Sequence, residues 1–189
     1  MQLSQRFTNA LVWATELHAE QVRKGSGVPY IAHPLGVASL ALEYGADEDE
    51  AIAALLHDAI EDCGGASVGL EIRRRFGDRV ADLVEGCTDS YTTPKPPWRE
   101  RKEAYLAKLK TASPSVRLVS ASDKLYNARS ILKDYDLVGE AIWERFRGGK
   151  AGSLWYYRAL VEVLQAIEST PVVRELDRVV SQLESLTST

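Results

Sequence analysis

Cysteine is scarce in this 189-residue sequence, with two, Cys63 and Cys87. They stand too far apart for a CxxC zinc motif and are too few for a disulfide framework, which suits a reducing compartment, and the expected location is the cytoplasm. Positive charge is not in excess. Lys and Arg total 23 against 27 Asp and Glu, a formal net charge of −4. A weakly acidic chain has no general attraction to nucleic acid polymers or anionic membranes, so neither is an expected partner. A small phosphorylated molecule remains open, because a local basic patch or a metal can bind it against the overall sign. Long apolar runs are missing too. None spans a bilayer, and the opening MQLSQRFTNALVWATELHAE lacks the basic start and apolar stretch of a signal peptide. Strand signals, repeats and low-complexity segments are absent. The 45% hydrophobic and 26% charged residues are ordinary for a globular chain of this length.

What is present is helical periodicity. Leu3, Phe7, Ala10, Leu11, Ala14 and Leu17 recur at steps of three and four and predict an amphipathic helix over Leu3 to Gln21. Lys24-Gly25-Ser26-Gly27-Val28-Pro29 breaks it. Pro34 suits a first helical turn, with Leu35 to Leu42 continuing and Gly45 as the stop. Glu48 to Ile60 is the next expected helix; its centre, Ala51 to Leu56, is apolar on nearly every side and reads as the buried central helix, ended by Cys63-Gly64-Gly65-Ala66. Ser67 is the expected N-cap of a helix to Arg75, and Gly77 separates that helix from Asp78 to Thr88. Ser90 to Pro97 holds three of the seven prolines and is expected to be a surface loop. Trp98 to Lys110 and Ser115 to Lys133 follow as helices on either side of Pro114. Gly148-Gly149 divides a helix around Ala141 to Phe146 from Ser153 to Ile167, and Pro171 starts the last. With Ser90 to Pro97 and Asp134 to Asp136 as the only linker candidates, the expectation is one all-α domain over residues 1–189.

Four stretches carry metal-type side chains: Tyr30-Ile31-Ala32-His33-Pro34, Leu55-Leu56-His57-Asp58, Ile60-Glu61-Asp62 and Ser122-Asp123-Lys124-Leu125-Tyr126-Asn127. An isolated His-Asp pair at the end of an apolar helix is most simply a hydrogen-bonded core pair or a helix cap. Spacing shifts the balance. Glu61 follows His57 by four and Asp62 follows Asp58 by four, so all four would share one helix end if helical geometry continues past Ile60. Three carboxylates there repel one another unless a cation joins them, and negative charge is unfavourable at a helix C-terminus. A His, His, Asp, Asp set mixes nitrogen and oxygen donors and suits Mn²⁺, Fe²⁺, Co²⁺ or Zn²⁺ better than Ca²⁺ or Mg²⁺. Such an ion leaves positions for a nucleophilic water and a phosphoryl oxygen.

An upstream His, an adjacent His-Asp pair and a distant Asp resemble the HD superfamily of phosphohydrolases. Arg23-Lys24-Gly25-Ser26-Gly27-Val28-Pro29-Tyr30-Ile31-Ala32-His33-Pro34, Leu55-Leu56-His57-Asp58-Ala59-Ile60-Glu61-Asp62, Phe76-Gly77 followed by Val80, and Ser122-Asp123-Lys124-Leu125-Tyr126-Asn127 are similar to the hydrolase domains of RelA/SpoT-type enzymes and to stand-alone small alarmone hydrolases. The similarity runs from about Leu3 to Leu164. It implies His33, His57, Asp58 and Asp123 as ligands of one divalent ion, Mn²⁺ by family habit. It implies Glu61 and Asp62 as the pair that orders water and handles protons, and Arg23, Lys24, Lys124 and Asn127 as substrate contacts. Ser122 stands where an Ala is expected before Asp123. Trp155 or Tyr156 lies where relatives place an aromatic against the base, and a core role for each is equally open. The expected reaction is removal of a 3′-pyrophosphate from a small phosphorylated nucleotide, guanine or adenine. With no synthetase region following, the chain is expected to hydrolyse alarmones and not make them. A nucleotidase or phosphatase acting on another metabolite, and a nucleotide-sensing module without catalysis, remain alternatives. His18 reads as a structural hydrogen-bonding residue, Cys63 as a bystander, and Arg73-Arg74-Arg75 as a solvated helix face. The sequence does not address oligomeric state.

Overall fold

A computed structural model describes residues 2–89 and 94–187. Of the loop expected over Ser90 to Pro97, residues 90–93 lie outside the described residues. The chain is all-α. Ten α-helices and one 3₁₀ segment are seen among the described residues, with one isolated antiparallel bridge, Val22 to Pro29, and no strand. None of these helices is long and apolar enough to cross a membrane. Contacts divide the chain into two compact units. One comprises Met1–Lys95 and Ser113–Ser122, the other Pro96–Ala112 and Asp123–Thr189.

In the first unit, α1 is Gln5–Leu17, capped by the Ser4 side chain on the amide of Arg6. α2 is Ala32–Glu43 and α3 is Glu48–Leu56. Asp47 and Glu50 form a capping box at the start of α3, and Glu48, Asp49 and Glu50 in its first turn complement the helix dipole. Every residue from Ala51 to Leu56 is fully buried. α3 contacts α1, α2 and α6 (Asp78–Cys87), as expected of a central helix. α4 is Ala59–Cys63 and packs on α1 and on α5, Ala66–Phe76. Replacing Ile52 by Ala at this centre should cost about 2–5 kcal/mol, read as a lower denaturation midpoint.

Three expectations are corrected here. The central helix ends at Leu56, not Ile60, because His57 and Asp58 form a turn before α4. His57 Nδ1 lies 2.8 Å from the carbonyl of Ala54, the acceptor an uninterrupted helix would give to the amide of Asp58. Helical bonding then resumes, with the amide of Asp62 on the carbonyl of Asp58 at 2.9 Å. Glu61 and Asp62 therefore sit in the first turn of a new helix, where negative charge is favoured, and the expected mismatch with a C-terminal end is absent. Ser67 is not an N-cap. Gly65, at φ 61°, holds that position, and Ser67 Oγ donates instead to the carbonyl of Gly64.

α8, Pro114–Val138, belongs to the first unit as far as Ser122 and to the second from Asp123. Asp134 to Asp136 is no linker but lies inside this helix, since no Gly or Pro interrupts it and Arg145 pairs with Asp134 at 2.6 Å. α6 and α8 approach closely at Gly86, where a Cβ would stand 2.5 Å from a methyl of Val116.

The second unit holds α7 (Trp98–Thr111), the 3₁₀ segment Gly139–Arg145, α9 (Gly149–Ile167) and α10 (Pro171–Thr187). The helix expected around Ala141 to Phe146 is instead that 3₁₀ segment, which ends where Phe146 turns extended. α9 packs against α7, α10 and the 3₁₀ segment. Val172, Val173, Leu176, Val179, Val180 and Leu183 form one buried stripe along α10. Arg158 on α9 ties its polar edge through Asp177 and Glu184.

Candidate metal centre

The end of α3 and the start of α2 bring two buried histidines together. His33 and His57 are 1% and 3% exposed. Their Nε2 atoms are 3.1 Å apart, and Asp58 Oδ2 lies 3.2 Å from the first and 3.1 Å from the second. The Ala54 carbonyl only accepts hydrogen bonds, so His57 Nδ1 carries the hydrogen and its Nε2 presents a lone pair. With both Nε2 atoms unprotonated, their lone pairs and the carboxylate oxygen at this range repel unless a cation lies among them. Separations near 3 Å are also roughly the edge between neighbouring ligand atoms that each stand about 2.1 Å from a common ion. His33, His57 and Asp58 thus form a group able to hold a divalent metal. Burial raises the Asp58 carboxyl, but when the two imidazoles against it carry protons, their charge and hydrogen bonds outweigh that and hold it well below the usual carboxylate range.

The acidic pair lies beside this group. Glu61 Oε1 accepts from Lys95 Nζ at 2.7 Å. Asp62 is exposed as a residue, but its carboxyl is crowded. Desolvation and the neighbouring Asp58 and Glu61 carboxylates push it above the ordinary aspartate range, against the opposing pull of Lys95 and the Tyr30 hydroxyl. Arg23 stands over the Tyr30 ring at 5.9 Å from its centroid, and Lys24 is exposed in the turn that follows.

Asp123, Lys124 and Asn127 lie in the second unit on α8. Both Asp123 oxygens are engaged, one by Lys124 Nζ at 2.5 Å and the other by Asn127 Nδ2 at 2.6 Å. Burial alone would lower the Lys124 ammonium, but Asp123 beside it holds it well above its ordinary value. Tyr156 is buried at 5% exposure and carries Lys102 Nζ at 4.8 Å from its ring centroid. Trp155 is half-buried. Its ring meets the Arg99 guanidinium at 3.1 Å and the edge of Trp98 at 6.2 Å.

Two residues near the centre have no signal in the sequence periodicity. Tyr30 sits inside the PYIxHP stretch, yet only the fold shows its hydroxyl on Asp58 and Asp62. Lys95 comes from a proline-rich loop, and nothing local indicates its ion pair with Glu61. Cys63 and His18, read as a bystander and a structural residue, lie 3.6 Å apart.

Residues 10–152 match a family model described as HD domain. A guanosine-3′,5′-bis(diphosphate) 3′-pyrophosphohydrolase of Aquifex aeolicus is 41% identical over 133 residues, covering 69% of this chain and 18% of that protein. The mouse guanosine-3′,5′-bis(diphosphate) 3′-pyrophosphohydrolase MESH1 is 33% identical over 174 residues, covering 90% of this chain and 88% of its own length. This chain thus spans less than a fifth of the Aquifex relative and most of the mouse one. In fold it is similar to a solved metazoan ortholog of SpoT that hydrolyses ppGpp and plays a role in starvation responses. The TM-score is 0.78 at 24% identity, covering 96% of this chain and 97% of that one.

Proposed function

We propose that this chain, which belongs to the HD domain family, is a metal-dependent hydrolase that removes the 3′-pyrophosphate from an alarmone-type nucleotide. The observation that carries this reading is the meeting of His33 Nε2, His57 Nε2 and Asp58 Oδ2 with Glu61 and Asp62 one turn further on. Relatives named as guanosine-3′,5′-bis(diphosphate) 3′-pyrophosphohydrolases support the reaction class and favour a guanine base over adenine. In this reading the two units act together as one hydrolase domain, working in the cytoplasm.

Mn²⁺ is the proposed ion, with Asp123 as a fourth ligand on the strength of its motif. When bound, such an ion polarises a phosphoryl oxygen and lowers the pKa of water. The side chains do the rest. Glu61, steadied by Lys95, and Asp62, crowded by carboxylates, orient the attacking water and take its proton. The new bond joins the water oxygen to the phosphorus nearest the ribose. The bond from that phosphorus to the 3′ oxygen breaks, the oxygen leaves with a proton, and pyrophosphate is released. Arg23, Lys24 and Lys124 offset phosphate charge, Asn127 helps place the substrate, and Trp155 or Tyr156 meets the base.

The test is a product assay. Purified protein with Mn²⁺ is given guanine and adenine alarmones, nucleoside mono- and triphosphates and NADPH. Pyrophosphate released from guanosine 3′,5′-bis(diphosphate), lost on chelation and restored by Mn²⁺, is the expected result. Orthophosphate from another nucleotide would instead make it a general HD phosphatase or nucleotidase. Tight binding without any product would make it a sensing module.

A further inference from the structure

The Tyr30 hydroxyl donates to Asp58 Oδ2 at 2.7 Å, and Asp62 Oδ2 stands 3.2 Å from the same oxygen. A phenol has one hydrogen, so it serves one of the two carboxylates at a time, and the shorter distance assigns it to Asp58. The Asp58 oxygen that receives it is also the one that faces both imidazole Nε2 atoms. The ring is fixed on several sides. His18 lies against it at 4.9 Å between centroids, and His33 meets it edge-on at 5.8 Å. His18 is itself buried at 2% exposure, with Nδ1 2.7 Å from Gln21 Oε1 and 3.6 Å from Cys63 Sγ. The backbone is pinned too, by the amide of Tyr30 on the carbonyl of Gln21 at 2.9 Å and by the Val22 to Pro29 bridge.

Two carboxylates within reach of one hydroxyl repel each other. A lysine placed there would relieve them but would oppose a divalent ion nearby. A phenol adds a donor without adding charge. We infer that Tyr30, buttressed by His18, is a positioning residue that orients the Asp58 carboxylate toward the two histidines and sets its spacing from Asp62. The kinetic part rests on the proposed hydrolase reading; the metal-binding part does not.

Tyr30→Phe keeps the ring contacts and removes only the O–H. Metal-stripped wild type and variant are titrated with Mn²⁺ by calorimetry and loaded with Co²⁺ for visible spectra. The variant should bind Mn²⁺ about tenfold more weakly, a loss typical of partners that support a ligand, and its Co²⁺ band should shift. With saturating Mn²⁺ and guanosine 3′,5′-bis(diphosphate), kcat should fall about tenfold while KM stays within about twofold, as expected when an oriented group and not substrate binding is lost. His18→Ala, which leaves the hydroxyl but frees the ring, should weaken Mn²⁺ in the same direction by a smaller factor. A wild-type Mn²⁺ affinity and Co²⁺ spectrum in Tyr30→Phe overturns the inference. If that variant does not fold, the same result in His18→Ala overturns it. A wild type that binds Mn²⁺ but leaves the nucleotide intact defeats the hydrolase reading and leaves the metal titrations to judge Tyr30.

Discussion

Asp58→Ala should emerge from purification without a bound divalent ion and with turnover lowered by more than about 10²-fold, a loss already seen when groups merely supporting a metal ligand are removed. Asp58 is the only anion among the three converging donors, and it is held ionised by the imidazoles facing it. Its removal leaves two buried imidazoles without the negative charge that offsets a dication, and it takes away the acceptor of the Tyr30 hydroxyl. Asp58→Asn keeps the shape and one oxygen donor but loses the charge, and it should retain less metal than wild type and more than Asp58→Ala. Elemental analysis of the three proteins, purified side by side, decides the matter. Equal metal in wild type and Asp58→Ala would remove Asp58 from the ligand set.

The second large effect is a loss of turnover without a loss of metal. Glu61→Gln and Asp62→Asn should each lower kcat by about 10²–10⁴-fold, the usual contribution of a general acid or base, while metal content stays at the wild-type level. Both carboxylates lie one turn beyond the ligand pair, Glu61 held by Lys95 and Asp62 with its Oδ2 3.2 Å from the Tyr30 hydroxyl oxygen. Because desolvation and two neighbouring carboxylates raise Asp62 when no ion is bound, its deprotonation should appear as an acid limb of the rate profile. Below that limb Asp62 is protonated and cannot accept the water's proton; above it the carboxylate is free to do so. In Asp62→Asn this limb should vanish from what activity remains. Near-normal turnover in both variants would make the pair an ordinary acidic first turn, favourable to the dipole of α4 and unconnected with chemistry.

The helical segments were legible because their apolar residues repeat at three and four. Ala51 to Leu56 announced a buried helix by being apolar on every side, and the structure buries each residue. The Glu61–Asp62 pair was legible as a pair, but for a partly mistaken reason. Reading one helix through Ile60 placed these charges at an unfavourable C-terminus, whereas they open a helix of their own. Periodicity could not show the turn between, since it is made by the His57 side chain taking the Ala54 carbonyl. Ser67 failed as a cap for a similar reason: a preceding glycine with positive φ had already turned the chain. Asp134 to Asp136 looked like a linker from composition alone, and an ion pair to Arg145 holds it within α8.

Residue type and short-range spacing were enough for the all-α class, the His57-Asp58 pair and the acidic pair that follows it, because each is carried by residues within one or two helical turns, whereas His33 and Asp123 were named by the family resemblance. What needed the folded chain were pairings between distant residues. His33 meets His57 across 24 positions, Tyr30 reaches Asp58 across 28, and Lys95 finds Glu61 across 34. Such contacts depend on how α2 and α4 are set against α3 and on where a loop returns, and those are set by packing of the whole apolar core. The same packing decides the electrostatics. A carboxylate beside two buried imidazoles stays charged, one crowded by other carboxylates is driven toward its neutral form, and the sequence lists both simply as aspartate.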